Sequence, residues 1–159
     1  MPFYLRTGKA LAARDTEVAI GFKRAPGILF GGPAGGSPTA NALVMQIQPH
    51  EGISLSFAAK RPGPEVELAP VRMDFRYVDF FATVPSTGYE TLLYDVMVGD
   101  PAQFAGPQEI EFAWRAVQPV LDAWAGGGPV HGYAAGSEGP AAAAALLARD
   151  GRAWRALQP

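Results

Sequence analysis

The sequence predicts an α+β domain, with a mainly antiparallel sheet and helices packed on one face. Two observations carry this prediction. Four runs in the first half of the chain alternate large apolar residues with polar or small ones, which is typical of strands with one buried face. Three segments in the second half carry the start and stop signals of helices. Strands followed by helices along a chain are the pattern of an α+β domain.

The four predicted strands cover residues 16–23, 43–48, 53–57 and 71–77. Residues 49–52 form a short turn, which predicts that the second and third strands pair as a hairpin. In each strand the large apolar residues lie two positions apart, so they share a face that we expect to be buried. This face comprises Val18, Ile20, Phe22, Leu43, Met45, Ile47, Ile53, Leu55, Phe57, Val71, Met73, Phe75 and Tyr77.

The three predicted helices are marked by their ends. Thr87 and Glu90 have the spacing of a capping box ahead of the first helix, and Gly99 is expected to end it. The second helix is predicted to start near Pro107, because proline favours the first turn. An Ala-rich third helix is predicted to follow Pro140.

The composition is that of one folded domain. The chain has 159 residues, of which 48% are hydrophobic and 18% charged. A net charge of −2 gives no electrostatic reason to expect nucleic acid or an anionic membrane as a partner. Cysteine is absent, which excludes disulfides, thiolate metal sites and a cysteine nucleophile. No stretch resembles a signal peptide or a membrane span, so we expect a cytoplasmic protein.

A short basic segment precedes the first strand and contains Arg6, Gly8, Lys9 and Arg14. A dianionic phosphate is bound well by a lysine point charge together with an arginine that can bind two oxygens. Gly8 would allow backbone conformations that a bulky residue resists. The alternative is that Lys9 and Arg14 are ordinary surface charges ahead of a strand.

Other residues capable of chemistry favour structural roles. His50 and His131 lie in predicted loops, and we expect them to be solvated loop residues rather than catalysts. The two histidines do not have metal-ligand spacing, so no metal site is expected. Ser137 is expected to stabilise a turn, and Trp114 and Trp124 to lie in a core or an interface.

Several segments resemble, in the same order, the C-terminal part of the glucose-6-phosphate dehydrogenase family. They are residues 2–9 (PFYLRTGK), 48–53 (QPHEGI), 60–63 (KRPG), 89–95 (YETLLYD), 99–100 (GD), 104 (F), 109–114 (EIEFAW), 119 (P), 133–140 (YAAGSEGP) and 154 (W). Each motif is weak alone, but their order from residue 2 to 154 makes the set specific. Because the first motif begins at residue 2, we expect that a preceding part of the protein is missing.

The resemblance implies an enzyme of the pentose phosphate pathway, which oxidises glucose 6-phosphate at C1 and transfers hydride to NADP. It also implies an N-terminal dinucleotide-binding domain and a C-terminal α+β domain, whose large antiparallel sheet carries the dimer interface. Lys9 and Arg14 match the positions that contact the substrate phosphate in the family. They are the candidate substrate-binding residues of this chain.

The departures from the family are informative too. The Gly-rich dinucleotide fingerprint and the segment with the catalytic histidine are absent, and residues 31–36 (GGPAGG) are no substitute because no helix is predicted after them. Some members hold a structural NADP through basic residues, but here Gln46, Ser56 and Glu138 stand at those positions. We therefore expect no catalytic residue and no bound cofactor in this chain, although the resemblance implies that the intact enzyme uses NADP.

Two functions remain open at this point. The chain is either the C-terminal domain of a glucose-6-phosphate dehydrogenase, inactive alone, or a stand-alone dimerisation or binding module derived from that domain. In both cases we predict a homodimer through the sheet, because small residues on its second face allow close packing. These residues are Ala19, Gly21, Ser54 and Ser56.

Overall fold

The computed structural model describes residues 1–24, 40–82 and 88–156. Its chain divides into two compact units, Met1–Thr83 with Tyr133–Pro159, and Val84–Gly132. The elements of the first unit are β1 (Thr16–Gly21), β2 (Ala42–Gln48), β3 (Gly52–Lys60), β4 (Leu68–Arg76), α1 (Tyr77–Phe80) and α4 (Ala141–Ala148). Those of the second unit are α2 (Tyr89–Val98) and α3 (Pro107–Ala125). The predicted α+β fold class is confirmed.

The strands form one antiparallel sheet in the order β1-β2-β3-β4. Met45 of β2 lies opposite Val18 of β1 and Ile53 of β3, and Ile53 lies opposite Phe75 of β4. The predicted hairpin between β2 and β3 and the shared apolar face are therefore confirmed. The Gly-rich segment 31–36 lies outside the described residues.

The prediction that the apolar face is buried is wrong. Met73 on that face is 61% exposed, whereas Val44 and Ser54 on the opposite face are each 5% exposed. Burial on the opposite face is confined to its centre, since Arg72 and Asp74 are exposed, and the C-terminal segment reaches this face at β1, where Arg155 forms an ion pair with Glu17 at 2.9 Å. Periodicity identifies which residues share a face, but it does not determine which of them are buried.

The two ends of the first unit pack against each other. Helix α4 begins after Pro140, as predicted, and six of its eight residues are alanine. Its Leu147 is only 3% exposed and is one of the few buried apolar side chains among the described residues. The Trp154 Nε1–H donates to the Ala143 carbonyl at 2.9 Å, and the Trp154 ring meets Tyr4 edge-on at 6.3 Å.

The second unit contains the two longer helices. Helix α2 begins at Tyr89 with Gly88 as its N-cap residue, while Thr87 of the predicted capping box lies outside the described residues. Gly99 ends α2 with a φ of 74°, and Pro107 begins α3, as predicted. No helix in the described part of the chain is both long and apolar enough to cross a membrane.

Trp114 and Trp124 of α3 are exposed, at 61% and 72% of their surface. A role for them in the core of this chain is therefore wrong, and an interface role stays a prediction. Large apolar side chains that remain in water are typical of a surface that packs against another part of a protein.

Candidate functional site

The two candidate substrate-binding residues lie on the segment that leads into β1. Lys9 is exposed, and Arg14 lines a cavity of about 600 Å³ on the face of the sheet opposite the apolar one. Within the described part of the chain, neither the Lys9 ammonium nor the Arg14 guanidinium forms an ion pair. Both cations are therefore available to an anion.

The floor of the cavity is a hydrogen-bonded cluster around the buried Ser54. The Ser54 hydroxyl donates to Asp74 Oδ1 at 2.6 Å, and it accepts from Gln46 Nε2 at 3.2 Å and from Arg72 Nη2 at 3.0 Å. The Ser54 hydrogen bond, followed by that of Arg72, lowers the pKa of Asp74. Asp74 therefore stays a carboxylate that neutralises Arg72, with which it pairs at 2.6 Å.

The other arginines of the cavity are neutralised in the same way. Arg76 pairs with Asp79 at 2.9 Å, and Arg155 pairs with Glu17. Among the described residues, Arg14 is thus the one cavity-lining arginine without an ion-pair partner. A phosphate approaching this face would meet one free guanidinium beside three neutralised ones.

A turn formed by residues 133–139 is hydrogen-bonded to the backbone of the basic segment. The Ser137 hydroxyl donates to the Ala134 carbonyl at 2.6 Å and accepts from the Gly139 N–H at 3.3 Å, so the predicted turn role of Ser137 is confirmed. The Ser137 carbonyl accepts from the Ala12 N–H at 2.9 Å. The family resemblance had included residues 133–140. Nothing in the sequence, however, predicted that this turn contacts the segment that carries Lys9.

The role expected for Gly8 is wrong. The positive φ in the basic segment, 51°, belongs to Ala10 and not to Gly8. A Cβ on Gly8 would instead lie 3.0 Å from the Tyr133 hydroxyl. The feature that favours glycine here is the close approach of another side chain, and not an unusual backbone conformation.

The two histidines lie in different units of the chain. His50 lines the sheet cavity, and His131 lies in an exposed loop of the second unit. Neither imidazole forms a hydrogen bond or ion pair with a described residue. No group of three His, Asp or Glu side chains in the described ranges is arranged to hold a metal ion.

The sequence matches the glucose-6-phosphate dehydrogenase, C-terminal domain family over residues 1–155. The chain belongs to this family. It is 46% identical over 155 residues to the glucose-6-phosphate 1-dehydrogenase of Aggregatibacter actinomycetemcomitans, covering 98% of this chain and 31% of that protein. It is 43% identical to glucose-6-phosphate 1-dehydrogenase 2 of Mycobacterium tuberculosis, covering 98% of this chain and 30% of that protein. The family resemblance inferred from the motifs is confirmed.

Solved structures are similar over the same region. The crystal structure of glucose-6-phosphate 1-dehydrogenase from Mycobacterium avium matches with a TM-score of 0.71 and 37% identity, covering 96% of this chain and 31% of that one. A glucose-6-phosphate dehydrogenase in complex with its substrate glucose-6-phosphate matches with a TM-score of 0.72 and 28% identity, covering 94% of this chain and 30% of that one. This chain therefore spans about a third of the length of the relatives that it matches.

The positions that correspond to a structural NADP site do not fit a dinucleotide. The Gln46 amide donates to Ser54, and the Glu138 carboxylate pairs with Arg6 at 2.8 Å. Ser56 carries no charge. A carboxylate and two neutral side chains offer no counter-charge to the phosphates of NADP. Nor do the described residues contain a strand joined to a helix by a Gly-rich turn, the form of the catalytic dinucleotide site.

Proposed function

We propose that this chain is the C-terminal substrate and dimerisation domain of an NADP-dependent glucose-6-phosphate dehydrogenase. The enzyme would oxidise glucose 6-phosphate to 6-phosphogluconolactone in the pentose phosphate pathway, in the cytoplasm. The family match over residues 1–155 carries this proposal. NADP is the hydride acceptor of that reaction, and no described residue of this chain is assigned to bind it.

We propose that the function of this domain is to bind the phosphate group of the substrate. Lys9 and Arg14 have charged groups that no described carboxylate neutralises. An ammonium and a guanidinium together match the two negative charges and the oxygen geometry of a phosphate monoester. The role of these residues is to bind and orient the sugar phosphate, while proton abstraction and the cofactor belong to other parts of the enzyme.

The exposed apolar face of the sheet supports a domain that works inside a larger protein. Val18, Met73 and several neighbours on this face are more than a third exposed. Because apolar surface is costly to leave in water, a contiguous patch of this kind favours cover by another protein surface. We propose that the remaining two-thirds of the enzyme supplies that cover.

The chain alone is expected to show no turnover of glucose 6-phosphate with NADP, measured as the appearance of NADPH absorbance. Activity is expected when this chain replaces the matching 31% of the Aggregatibacter actinomycetemcomitans enzyme, a protein that we call the fusion enzyme. Turnover by the isolated chain would contradict the proposal. A well-folded but inactive fusion enzyme would favour the stand-alone module instead.

A homodimer through the sheet is the second part of the proposal. Ser54 is buried within its own chain and is therefore unavailable to a partner chain, but Ala19 and Gly21 of β1 are exposed. A Cβ on Gly21 would meet nothing within 4 Å, so Gly21→Arg should leave the monomer intact and disrupt a closely packed interface. We expect light scattering at high concentration to report a dimer for the chain and a monomer for this variant.

The matched control for the dimer is Gly132→Arg, in the second unit, where an added Cβ also meets nothing within 4 Å. This variant should stay dimeric. A monomeric parent chain, or equal dissociation of both variants, would show that the sheet is not the interface.

A further inference from the structure

We propose that Tyr133 is a positioning residue for the substrate phosphate, acting through the backbone of Lys9. The Tyr133 hydroxyl donates to the Lys9 carbonyl at 2.7 Å, although the two residues are 124 positions apart in sequence. This inference rests on the proposed role of Lys9. It adds a function for Tyr133 that the proposed function of the domain does not include.

The contact is one of a series along the basic segment. The Gly136 N–H donates to the Ala10 carbonyl at 2.8 Å, two residues before the bond between Ala12 and Ser137. Three backbone groups between Lys9 and Ala12 are thus bonded to one turn. Because the turn is itself closed by the Ser137 hydroxyl, it forms a rigid support for the segment.

The backbone of the segment needs such support. Ala10 has a φ of 51°, in the left-handed region that residues with a Cβ rarely adopt. A conformation of this kind persists where surrounding contacts determine it, and the carbonyls of Lys9 and Ala10 both have partners on the turn. The turn therefore sets the direction in which the Lys9 side chain leaves the backbone.

The charged end of Lys9 remains available. Its ammonium has no ion-pair partner among the described residues, whereas its carbonyl is fixed by Tyr133. A fixed backbone with a free charge is the arrangement expected of a preorganised binding group. Loss of the tyrosine hydroxyl should leave the charge in place but loosen its position.

The test uses Tyr133→Phe in the fusion enzyme. We expect KM for glucose 6-phosphate to rise about three- to tenfold, the usual effect of losing one neutral hydrogen bond, with kcat and KM for NADP unchanged. With glucose as substrate, which has no phosphate, the variant should behave as the parent. A general loss of structure would affect both substrates and both constants alike.

The matched control is Tyr4→Phe, which removes a hydroxyl bonded to Asp150 in the same unit and should leave KM unchanged. Gly8→Ala provides an independent perturbation, because its Cβ would lie 3.0 Å from the Tyr133 hydroxyl. As a single substitution, Gly8→Ala should raise KM for glucose 6-phosphate. In combination with Tyr133→Phe, which lacks that hydroxyl, it should cause a smaller further increase in KM.

The outcomes separate this inference from the proposed function. If Lys9→Ala raises KM for glucose 6-phosphate and Tyr133→Phe does not, the positioning role is wrong and the phosphate role of Lys9 stands. If Lys9→Ala has no effect on KM, the proposed role of Lys9 fails, and the inference fails with it. Equal effects of Tyr133→Phe on glucose and glucose 6-phosphate would also overturn the positioning role.

Discussion

Replacing Lys9 or Arg14 by alanine in the fusion enzyme is expected to raise KM for glucose 6-phosphate about ten- to a hundredfold each. A hydrogen bond to a charged group contributes about 1.5–3 kcal/mol, and each 1.4 kcal/mol corresponds to about a tenfold change in affinity. Neither cation has an ion-pair partner among the described residues, so its removal leaves no carboxylate unpaired in this chain. Initial rates at varied substrate measure the effect.

The control for these variants is Arg61→Ala. Arg61 is exposed in the connection between β3 and β4 and pairs with Glu67 at 3.4 Å, outside the sheet cavity. Its removal changes the net charge by the same amount as the test variants but should leave KM unchanged. KM for NADP should stay constant in all three. Similar increases in all three variants would indicate a long-range effect of charge rather than a binding site.

Leu147→Ala is expected to destabilise the first unit by about 2–5 kcal/mol, the usual cost of removing a buried leucine side chain. Helix α4 has eight residues, too few for a helix to be stable alone in water. Leu147 is its one buried residue, at 3% exposure. Without this anchor, the helix loses the packing that holds it and the segment that follows it.

The measurement is urea unfolding followed by Trp154 fluorescence, with Trp114 and Trp124 replaced by phenylalanine. Trp154 is a suitable reporter because its indole donates to Ala143 in α4. The control is Leu146→Ala, which makes the same substitution one position earlier at a residue that is 50% exposed. It should cost less than about 1 kcal/mol. Equal losses in the two variants would contradict the burial of Leu147.

The elements of this fold could be predicted because their signals are local. Alternation along β2 and β3 placed both strands, and Gly99 and Pro107 marked helix ends where the structure has them. Each signal depends on residues a few positions apart, which share one face or one turn of backbone. The family resemblance extended these local signals over the whole chain.

The burial of the sheet and the surroundings of the site could not be predicted in the same way. Arg155 reaches the polar face by pairing with Glu17, 138 residues earlier, and Tyr133 bonds to Lys9 across 124 residues. Such contacts depend on how the chain returns to itself, which periodicity and motifs do not encode. Lys9 and Arg14 were predicted from family positions, whereas the contact between Lys9 and the turn of residues 133–139 is visible only in the structure.

The central claim is that Lys9 and Arg14 bind the phosphate of the substrate, and comparing glucose 6-phosphate with glucose tests it most directly. In the fusion enzyme, kcat/KM should be measured for both sugars in the parent and in the Lys9→Ala and Arg14→Ala variants. We expect kcat/KM to fall about ten- to a hundredfold for glucose 6-phosphate and to stay unchanged for glucose. Equal decreases for the two sugars would contradict the claim, because glucose has no phosphate to bind.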